Sequence, residues 1–187
     1  FRRRQPEPAL AGVPGGGWSA ATTTAPVPAG GASVLDHDLE QGIAAVRMMD
    51  QGFDPVGFAG TARDLLVRVQ TAWSAGDLAP VRAEMTDEMA GVLERELGRL
   101  RTLRRVNRVE RIGVEAADVS EAWQEYGQDF VTVRLRASAL DYTTDATTGA
   151  VLDGSQSVPA TFEEYWTFAR PVGPHSWRLS AIQQPSA

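Results

Sequence analysis

The chain has 187 residues, of which 43% are hydrophobic and 22% are charged, with a net charge of -6. This size and composition predict one ordinary globular domain with some additional unstructured chain. The absence of cysteine excludes disulfides, thiolate nucleophiles and cysteine-ligated metals, and the acidic balance argues against general nucleic-acid binding.

Residues 1–33 are expected to form a flexible, membrane-proximal linker. They are rich in proline, glycine, alanine, serine and threonine, and such a segment buries too little apolar surface to offset its ordering entropy. Arg2, Arg3 and Arg4 stand at its start, and a basic triplet of this kind follows a transmembrane helix on the cytoplasmic side. We therefore expect a membrane segment upstream, with a polar tail or a cloning remnant as the alternative. The chain itself has no apolar run of about 18 residues that would span a bilayer.

The first predicted helix covers residues 34–51. Apolar residues recur at helical spacing through Leu35, Leu39, Ile43 and Val46. Acidic residues lie near its start and a basic residue near its end, which is the order that the helix dipole favours. We expect this amphipathic helix to pack on the domain that follows it.

Two further helices are predicted from their end signals. The second is bounded by Asp54 as its N-cap, by Pro55 at its first position and by Gly76 after its end. A short helical turn is expected over residues 77–85. Thr86 then caps the third helix, whose first turn is acidic.

After the third helix the hydrophobic period changes from helical to alternating. Strands are predicted over 109–119 and 129–142, and as the two arms of a hairpin between residues 161 and 184. Residues 143–157 indicate a polar turn with Val151 and Leu152 at its tip. Helices followed by strands predict an α+β fold, with the N-terminal helices packed on a curved antiparallel sheet of about four strands.

Several motifs, taken in order, resemble one family. They are FD before the second helix, VQ-x-x-W-x-x-GDL at its end, TGAVLDG in the polar turn, and WTFAR with WRL-x-x-IQQ in the hairpin. Together they make residues 52–184 similar to the Tim-forty-four-like family. That family comprises the peripheral scaffold subunit of the mitochondrial inner-membrane import motor and its bacterial relatives. The resemblance implies the cone-shaped fold of the nuclear-transport-factor-two-like superfamily for residues 52–187.

The resemblance also implies a function. It suggests a non-enzymatic, membrane-tethered scaffold or adaptor domain on the cytoplasmic side of a bacterial inner membrane, with protein partners and anionic lipid. Residues 1–33 lack the coiled-coil heptads of the mitochondrial relatives, so tethering of an Hsp70 motor is not carried over. In those relatives the N-terminal helices are thought to lie on the membrane, and Met48, Met49 and Phe53 would serve that purpose here.

Cones of this superfamily often hold a pocket between their helices and their sheet. A pocket here would bind an acyl chain or an apolar peptide segment. The alternative is an ordinary core, since apolar stripes at helical spacing are usually packing. The lining residues would be Phe58, Leu65, Val69, Trp73, Leu93, Leu97, Trp166, Phe168 and Trp177.

A run of arginines forms a second candidate surface in this acidic chain. Several lie near the end of the third helix, where the dipole favours cations, and Glu94, Glu96 and Glu110 are available as ionic partners. The run is either a solvated, salt-bridged face or a contact surface for phospholipid headgroups or an acidic protein. Its members are Arg95, Arg99, Arg101, Arg104, Arg105, Arg108 and Arg111.

An enzyme of the isomerase or dehydratase type on the same fold is a remote alternative. It would need a carboxylate or histidine base inside the cone beside a donor. The candidates are Glu164, Asp141, Tyr142 and Tyr165, and we expect Glu164 at an edge or rim of the sheet. His37 lies beside acids and His175 in a proline-flanked turn. Neither indicates a catalytic or metal site, so no catalytic residue, metal or cofactor is predicted.

Overall fold

The computed structural model describes residues 32–185, with side chains over residues 37–185. Its elements are α1 (Ala32–Met49), α2 (Pro55–Ala75), a 3-10 helix (Ala79–Glu84), α3 (Asp87–Thr102), β1 (Arg105–Glu125), β2 (Gln128–Asp145), β3 (Val151–Gly154), β4 (Ala160–Pro171) and β5 (Arg178–Gln183). Helices followed by strands confirm the predicted α+β class. The predicted linker lies outside the described residues except for its last two, which begin α1, and so do Arg2, Arg3 and Arg4.

The helix ends follow the predicted capping chemistry. The Asp54 carboxylate accepts hydrogen bonds from two backbone N–H groups at the start of α2, the shorter from Gly57 at 2.9 Å. Gly76 ends the same helix with a φ of 70°, a left-handed conformation that glycine adopts at no steric cost. The Thr86 hydroxyl accepts from the Met89 N–H at 3.2 Å and starts α3.

All five strands form one antiparallel sheet in the order β1-β2-β4-β5. β3 pairs with residues 142–144 of β2, and β4 pairs with residues 128–139 of the same strand. The sheet therefore has one strand more than the four expected. Val151 and Leu152 lie in this extra strand rather than at the tip of a turn.

β1 is much longer than the strand predicted over 109–119. The prediction was too short because β-bulges interrupt the alternating pattern of apolar and polar residues. Its pairing with β2 shifts register three times, first between Glu110 and Gly113. A bulge adds one residue and moves the following side chains to the opposite face. The alternation of apolar and polar residues is lost while the pairing continues, so a period of two detects only the middle of this strand.

The hydrophobic core lies between the helices and one face of the sheet, here called the inner face. The ring of Phe58 on α2 lies 5.1 Å from that of Phe168 on β4 and 5.1 Å from that of Trp177. The Phe53 ring is buried and lies 5.8 Å from the Trp177 ring. The alternative that the resemblance offers for Phe53, contact with a membrane, is therefore wrong, since this side chain completes an aromatic cluster of the core.

α1 packs on β1 with its backbone close to that of the strand. A Cβ atom placed on Gly42 would lie 1.8 Å from the carbonyl oxygen of Ala122, so no side chain fits there. Gln124 on β1 donates to the Ala45 carbonyl at 3.2 Å, and Val46 is fully buried. The first helix therefore packs on the domain, as predicted.

A buried ionic cluster joins the end of α1 to the sheet. On β4, Arg170 donates its Nε to Asp129 at 3.0 Å and its Nη1 to Asp50 at 2.9 Å. The guanidinium carbon lies 4.2 Å from the centre of the Trp177 ring. The side chains of Arg170 and Asp129 are 3% and 0% exposed. Each charge depends on the other for compensation, because burial removes the water that would otherwise solvate it.

Candidate functional site

The seven arginines of the predicted surface are all exposed and lie on α3, in the turn after it and on β1. Two of them bond to the end of α2. Arg101 donates to the Gly76 carbonyl, and Arg108 donates to the Ser74 carbonyl at 3.3 Å. The last carbonyls of a helix have no partner within it and carry its partial negative charge, so these two guanidiniums act as a cap.

The glutamates predicted as ionic partners bond to fewer of the seven arginines than expected. Arg99 bonds to Glu96 through Nε at 2.9 Å, whereas Glu94 and Glu110 bond to residues outside the series. Within residues 37–185, four of the seven make no salt bridge or side-chain hydrogen bond: Arg95, Arg104, Arg105 and Arg111.

The position of β1 explains part of the arginine pattern. β1 is an outer strand of the sheet, and Arg105, Arg108 and Arg111 lie along it. Arg111 has a φ of 52° beside the first register shift. Charged side chains and bulges on an outer strand prevent pairing with a second sheet. Protection of this edge is therefore one structural role of these residues.

Four arginines come together where α2 and α3 end and β1 begins. We call this group the arginine corner: Arg101, Arg104, Arg105 and Arg108. Asp145, the strand partner of Arg105, lies beside it. The N–H groups of Thr148 and Thr147, the Thr148 hydroxyl and nearby Arg104 hold the pKa of Asp145 below its usual range. This carboxylate stays ionised and offsets part of a patch that is otherwise positive.

The predicted pocket residues all take part in the hydrophobic core. Eight are buried, and Trp177 is partly buried and packs against them. The ring contacts of Phe58 with Phe168 and Trp177 bring α2 and the C-terminal hairpin together. Whether a ligand enters between these side chains stays a prediction.

Sequence reasoning missed two buried amide side chains in this interior. Asn107 on β1 accepts from the Trp73 indole N–H at 2.8 Å and donates to Asp141 at 2.8 Å. Gln70 on α2 is fully buried, and neither amide atom has a hydrogen-bond partner among the described residues. The signal was present in the sequence, because Gln70 interrupts the apolar stripe of α2 four residues after Leu66.

Glu164 was expected at a rim and is instead fully buried. It accepts a hydrogen bond from the Trp166 indole N–H at 2.8 Å. Residues two apart in a strand share a face, so Glu164 lies on the inner face together with Trp166 and Phe168. The preference for a rim position was wrong because an indole N–H on the same face supplies a buried partner.

The four catalytic candidates bond to four different partners. Asp141 bonds to Asn107 and Glu164 to Trp166, while the Tyr142 and Tyr165 hydroxyls each donate at 3.0 Å to a glutamate. Burial, then the neighbouring carboxylate, raises the pKa of both tyrosines. Both hydroxyls therefore stay protonated at neutral pH.

The histidines and the acidic groups show no metal-binding arrangement within the described residues. His37 is exposed and bonds to Gln41 at 2.8 Å, and the backbone carbonyl of His175 accepts from Arg170 at 3.2 Å. Over residues 37–185, no group of three or more histidine, aspartate or glutamate side chains is placed to hold a metal ion.

A surface groove of about 510 Å³ lies between α1 and the start of α2. Its lining is Glu40, Ile43, Ala44, Arg47, Met48 and Pro55. Met48 and Met49 are exposed, in contrast to Phe53. The sequence could not reveal the groove, because its shape depends on the angle between two helices. None of the described helices is both long and apolar enough to cross a membrane.

Comparisons with known proteins place the chain in a family. The crystal structure of the intermembrane space region of the chloroplast protein ARC6 is a similar solved structure, with a TM-score of 0.44 and 14% identity over 69% of this chain and 97% of that one. A search of curated protein sequences finds no match. The family model of the Tim44-like domain matches residues 39–184, from within α1 to just past β5. The chain therefore belongs to the Tim44-like family.

Proposed function

We propose that this chain is a non-enzymatic scaffold or adaptor domain that binds an anionic partner through the arginine corner. Membership of the Tim44-like family, whose domains are of the scaffold type, supports the adaptor role. We further propose that a segment upstream of this chain tethers the domain to the cytoplasmic face of a bacterial inner membrane. In that position the arginine corner can contact both phospholipid headgroups and acidic partner proteins.

The observation that carries the proposal is the arginine corner itself. Arg101 and Arg108 are held by backbone carbonyls at the end of α2. Arg104 and Arg105 have no salt bridge within residues 37–185. A basic side chain near an anionic membrane surface contributes about 1 kcal/mol. Four of them on one corner are enough for a reversible contact that salt weakens.

Vesicle binding tests this contact directly. The full chain is mixed with phosphatidylcholine vesicles that contain or lack phosphatidylglycerol, and co-sedimentation is measured at two salt concentrations. We expect binding only to the anionic vesicles, weaker at high salt. The double variant Arg104→Glu, Arg105→Glu should reduce it at least tenfold.

The matched control reverses two arginines elsewhere. Arg134 and Arg136 are exposed on β2 and form long ion pairs of 3.9 and 3.4 Å. Changing both to glutamate alters the net charge equally, and vesicle binding should fall much less. Equal loss in both variants would mean that net charge, and not the corner, drives the contact.

Crosslinking in cells addresses the protein partner. A photo-crosslinking residue at position 105 should capture a defined protein, and the same residue at position 134 should not. If position 105 captures no protein and the anionic vesicles do not bind, the corner has only the structural roles of capping α2 and protecting β1.

A further inference from the structure

The groove between α1 and the start of α2 exposes one face of α1. Five of the six residues that line it belong to α1 and are spaced three or four positions apart, so they share one side of the helix. The opposite side packs on β1 through Gly42 and Val46. Four of the five groove residues are exposed, and Ile43 is partly buried. We call this outward face the α1 stripe: Glu40, Ile43, Ala44, Arg47 and Met48.

The α1 stripe carries one charge of each sign, placed symmetrically about its middle. The Glu40 side chain makes no salt bridge or hydrogen bond within residues 37–185. Arg47 donates its Nε to the Phe53 carbonyl at 3.0 Å, and the two terminal nitrogens of its guanidinium have no partner in the same range. The two charges are about 10 Å apart along the helix axis. Their midpoint lies between Ile43 and Ala44.

A second copy of α1 that runs antiparallel to the first is complementary to this arrangement. A two-fold axis through the midpoint places Glu40 of each copy opposite Arg47 of the other, and Ile43 opposite Ala44. Each pair then occurs twice, as an interface between identical surfaces requires. A parallel copy would place like charges together, which is unfavourable. The small side chain of Ala44 near the axis allows the helices to approach to about 8–10 Å.

Apolar side chains beside the charges favour the same contact. Met48 is 81% exposed, and Val56, which follows the Pro55 wall of the groove, is 80% exposed. Large apolar residues that are exposed together and bordered by charges are typical of interaction surfaces. Methionine adapts its shape to a neighbouring surface. A second α1 in the groove would remove part of this apolar surface from water, which favours association.

We propose that this chain forms a two-fold symmetric dimer in which the α1 stripes of two copies pack antiparallel, with reciprocal ion pairs between Glu40 and Arg47. The groove lies at the start of α2 and the arginine corner at its end, about 30 Å apart along the helix axis. The dimer therefore goes beyond the function proposed for the corner and does not depend on it.

Charge reversal tests the dimer and its orientation. Sedimentation equilibrium of the full chain measures the Kd of self-association. Glu40→Arg alone, or Arg47→Glu alone, turns both ion pairs of the dimer into repulsions, so Kd should rise at least tenfold in each variant. An equimolar mixture of the two variants restores opposite charges at both contacts. The mixture should therefore associate about as strongly as the unchanged protein.

The controls make the same changes of charge elsewhere. Glu88 on α3 and Arg63 on α2 are exposed, and Glu88→Arg and Arg63→Glu should change Kd much less. Tm of every variant checks that the domain stays folded, which matters for Arg47 because of its bond to the Phe53 carbonyl. An unchanged protein that stays monomeric at all concentrations would overturn the proposal. Single variants that associate normally, or a mixture that does not recover, would overturn it too.

A disulfide tests the position of the two-fold axis. The chain has no cysteine, so Ala44→Cys introduces one thiol per copy, beside the axis. Mild oxidation should join two copies into a covalent dimer, because a disulfide forms only between Cα atoms less than about 7 Å apart. Thr71→Cys, at an exposed position on α2, should yield far less. No covalent dimer at position 44, or equal yields at both positions, would contradict the antiparallel pairing of the α1 stripes.

Discussion

Arg170 and the four arginines of the corner have opposite surroundings. Arg170 is buried, bonds to Asp129 and Asp50, and lies against the Trp177 ring. The arginines of the corner are exposed, and none of the four makes a salt bridge within the described residues. The same side chain is therefore neutralised by carboxylates in the buried place and exposed without a salt bridge among the described residues in the other. Burial and the partners present, not residue type, decide which.

The largest effect is expected from Arg170→Met. It leaves the fully buried Asp129 without its cation, and breaking a buried ion pair in this way costs about 3–5 kcal/mol. Urea unfolding of the full chain measures the loss. Arg134→Met, at an exposed arginine of β2, should stay within about 0.5 kcal/mol.

A second variant checks the cause of that loss. If an unpaired carboxylate is responsible, Asp129→Asn in the Arg170→Met background should recover part of the stability. No recovery would mean that packing of Arg170 on Trp177 matters more than its charge. Arg170 would then differ from the corner arginines by its packing and not by the pairing of its charge.

Gly42→Ala tests the attachment of α1 without changing any charge. The new Cβ would lie 1.8 Å from the Ala122 carbonyl oxygen, so α1 must move, at a cost of about 1–3 kcal/mol. The control is Gly60→Ala on α2, where no atom lies within 4 Å of the added Cβ. That change should raise stability by about 0.5–1 kcal/mol. Unchanged stability of Gly42→Ala would mean that α1 does not pack closely on β1. Arg170 would then have no role in holding α1 against the sheet.

Within the corner, the capping arginines should differ from the unpaired ones. Arg101→Met and Arg108→Met each remove a bond to a terminal carbonyl of α2, and each should cost about 1 kcal/mol. Arg104→Met and Arg105→Met should cost close to nothing, although they lie on the same surface. The free energy of unfolding of the four variants, measured with a chemical denaturant, shows which arginines stabilise the end of α2. Equal losses in all four would mean that the capping arginines do not differ from the unpaired ones.

The smallest effect is expected at an exposed pair outside the corner. A hydrogen bond from Arg82 at 2.7 Å, followed by its charge, lowers the pKa of Asp87. Because the pKa is lower in the folded state, the stabilisation is present above about pH 4 and is lost as pH falls through the lowered value. Tm of Asp87→Asn should therefore lie slightly below that of the unchanged protein at neutral pH, and the gap should close in acid. In an Arg82→Met background the gap should shrink.

The parts of the fold with local causes could be predicted from the sequence. Asp54, Gly76 and Thr86 set the ends of α2 and α3 through bonds within a few residues, and such signals are visible in one sequence. β1 was underestimated because its bulges break the period of two. β3 was missed because a strand of four residues within a polar segment has no periodicity to detect.

The candidate site was harder to predict because its properties depend on contacts between distant residues. The run of arginines was visible, but which of them cap α2 depends on how α3 and β1 meet the end of that helix. Glu164 looked like a rim residue until the Trp166 indole supplied a partner. Gln70 and Asn107 are both buried amides, and only the folded chain distinguishes the bonded one from the orphan.

The contact at Gly42 also limits how α1 can move. Rotation of the helix about its axis would drive a neighbouring side chain into the Ala122 carbonyl, so only one rotational setting is allowed. The bond from Arg170 to Asp50 fixes the same helix a second time, about 12 Å further along its axis. A force applied to α1 would therefore be carried to β1 at the Gly42 contact and to β4 at Arg170.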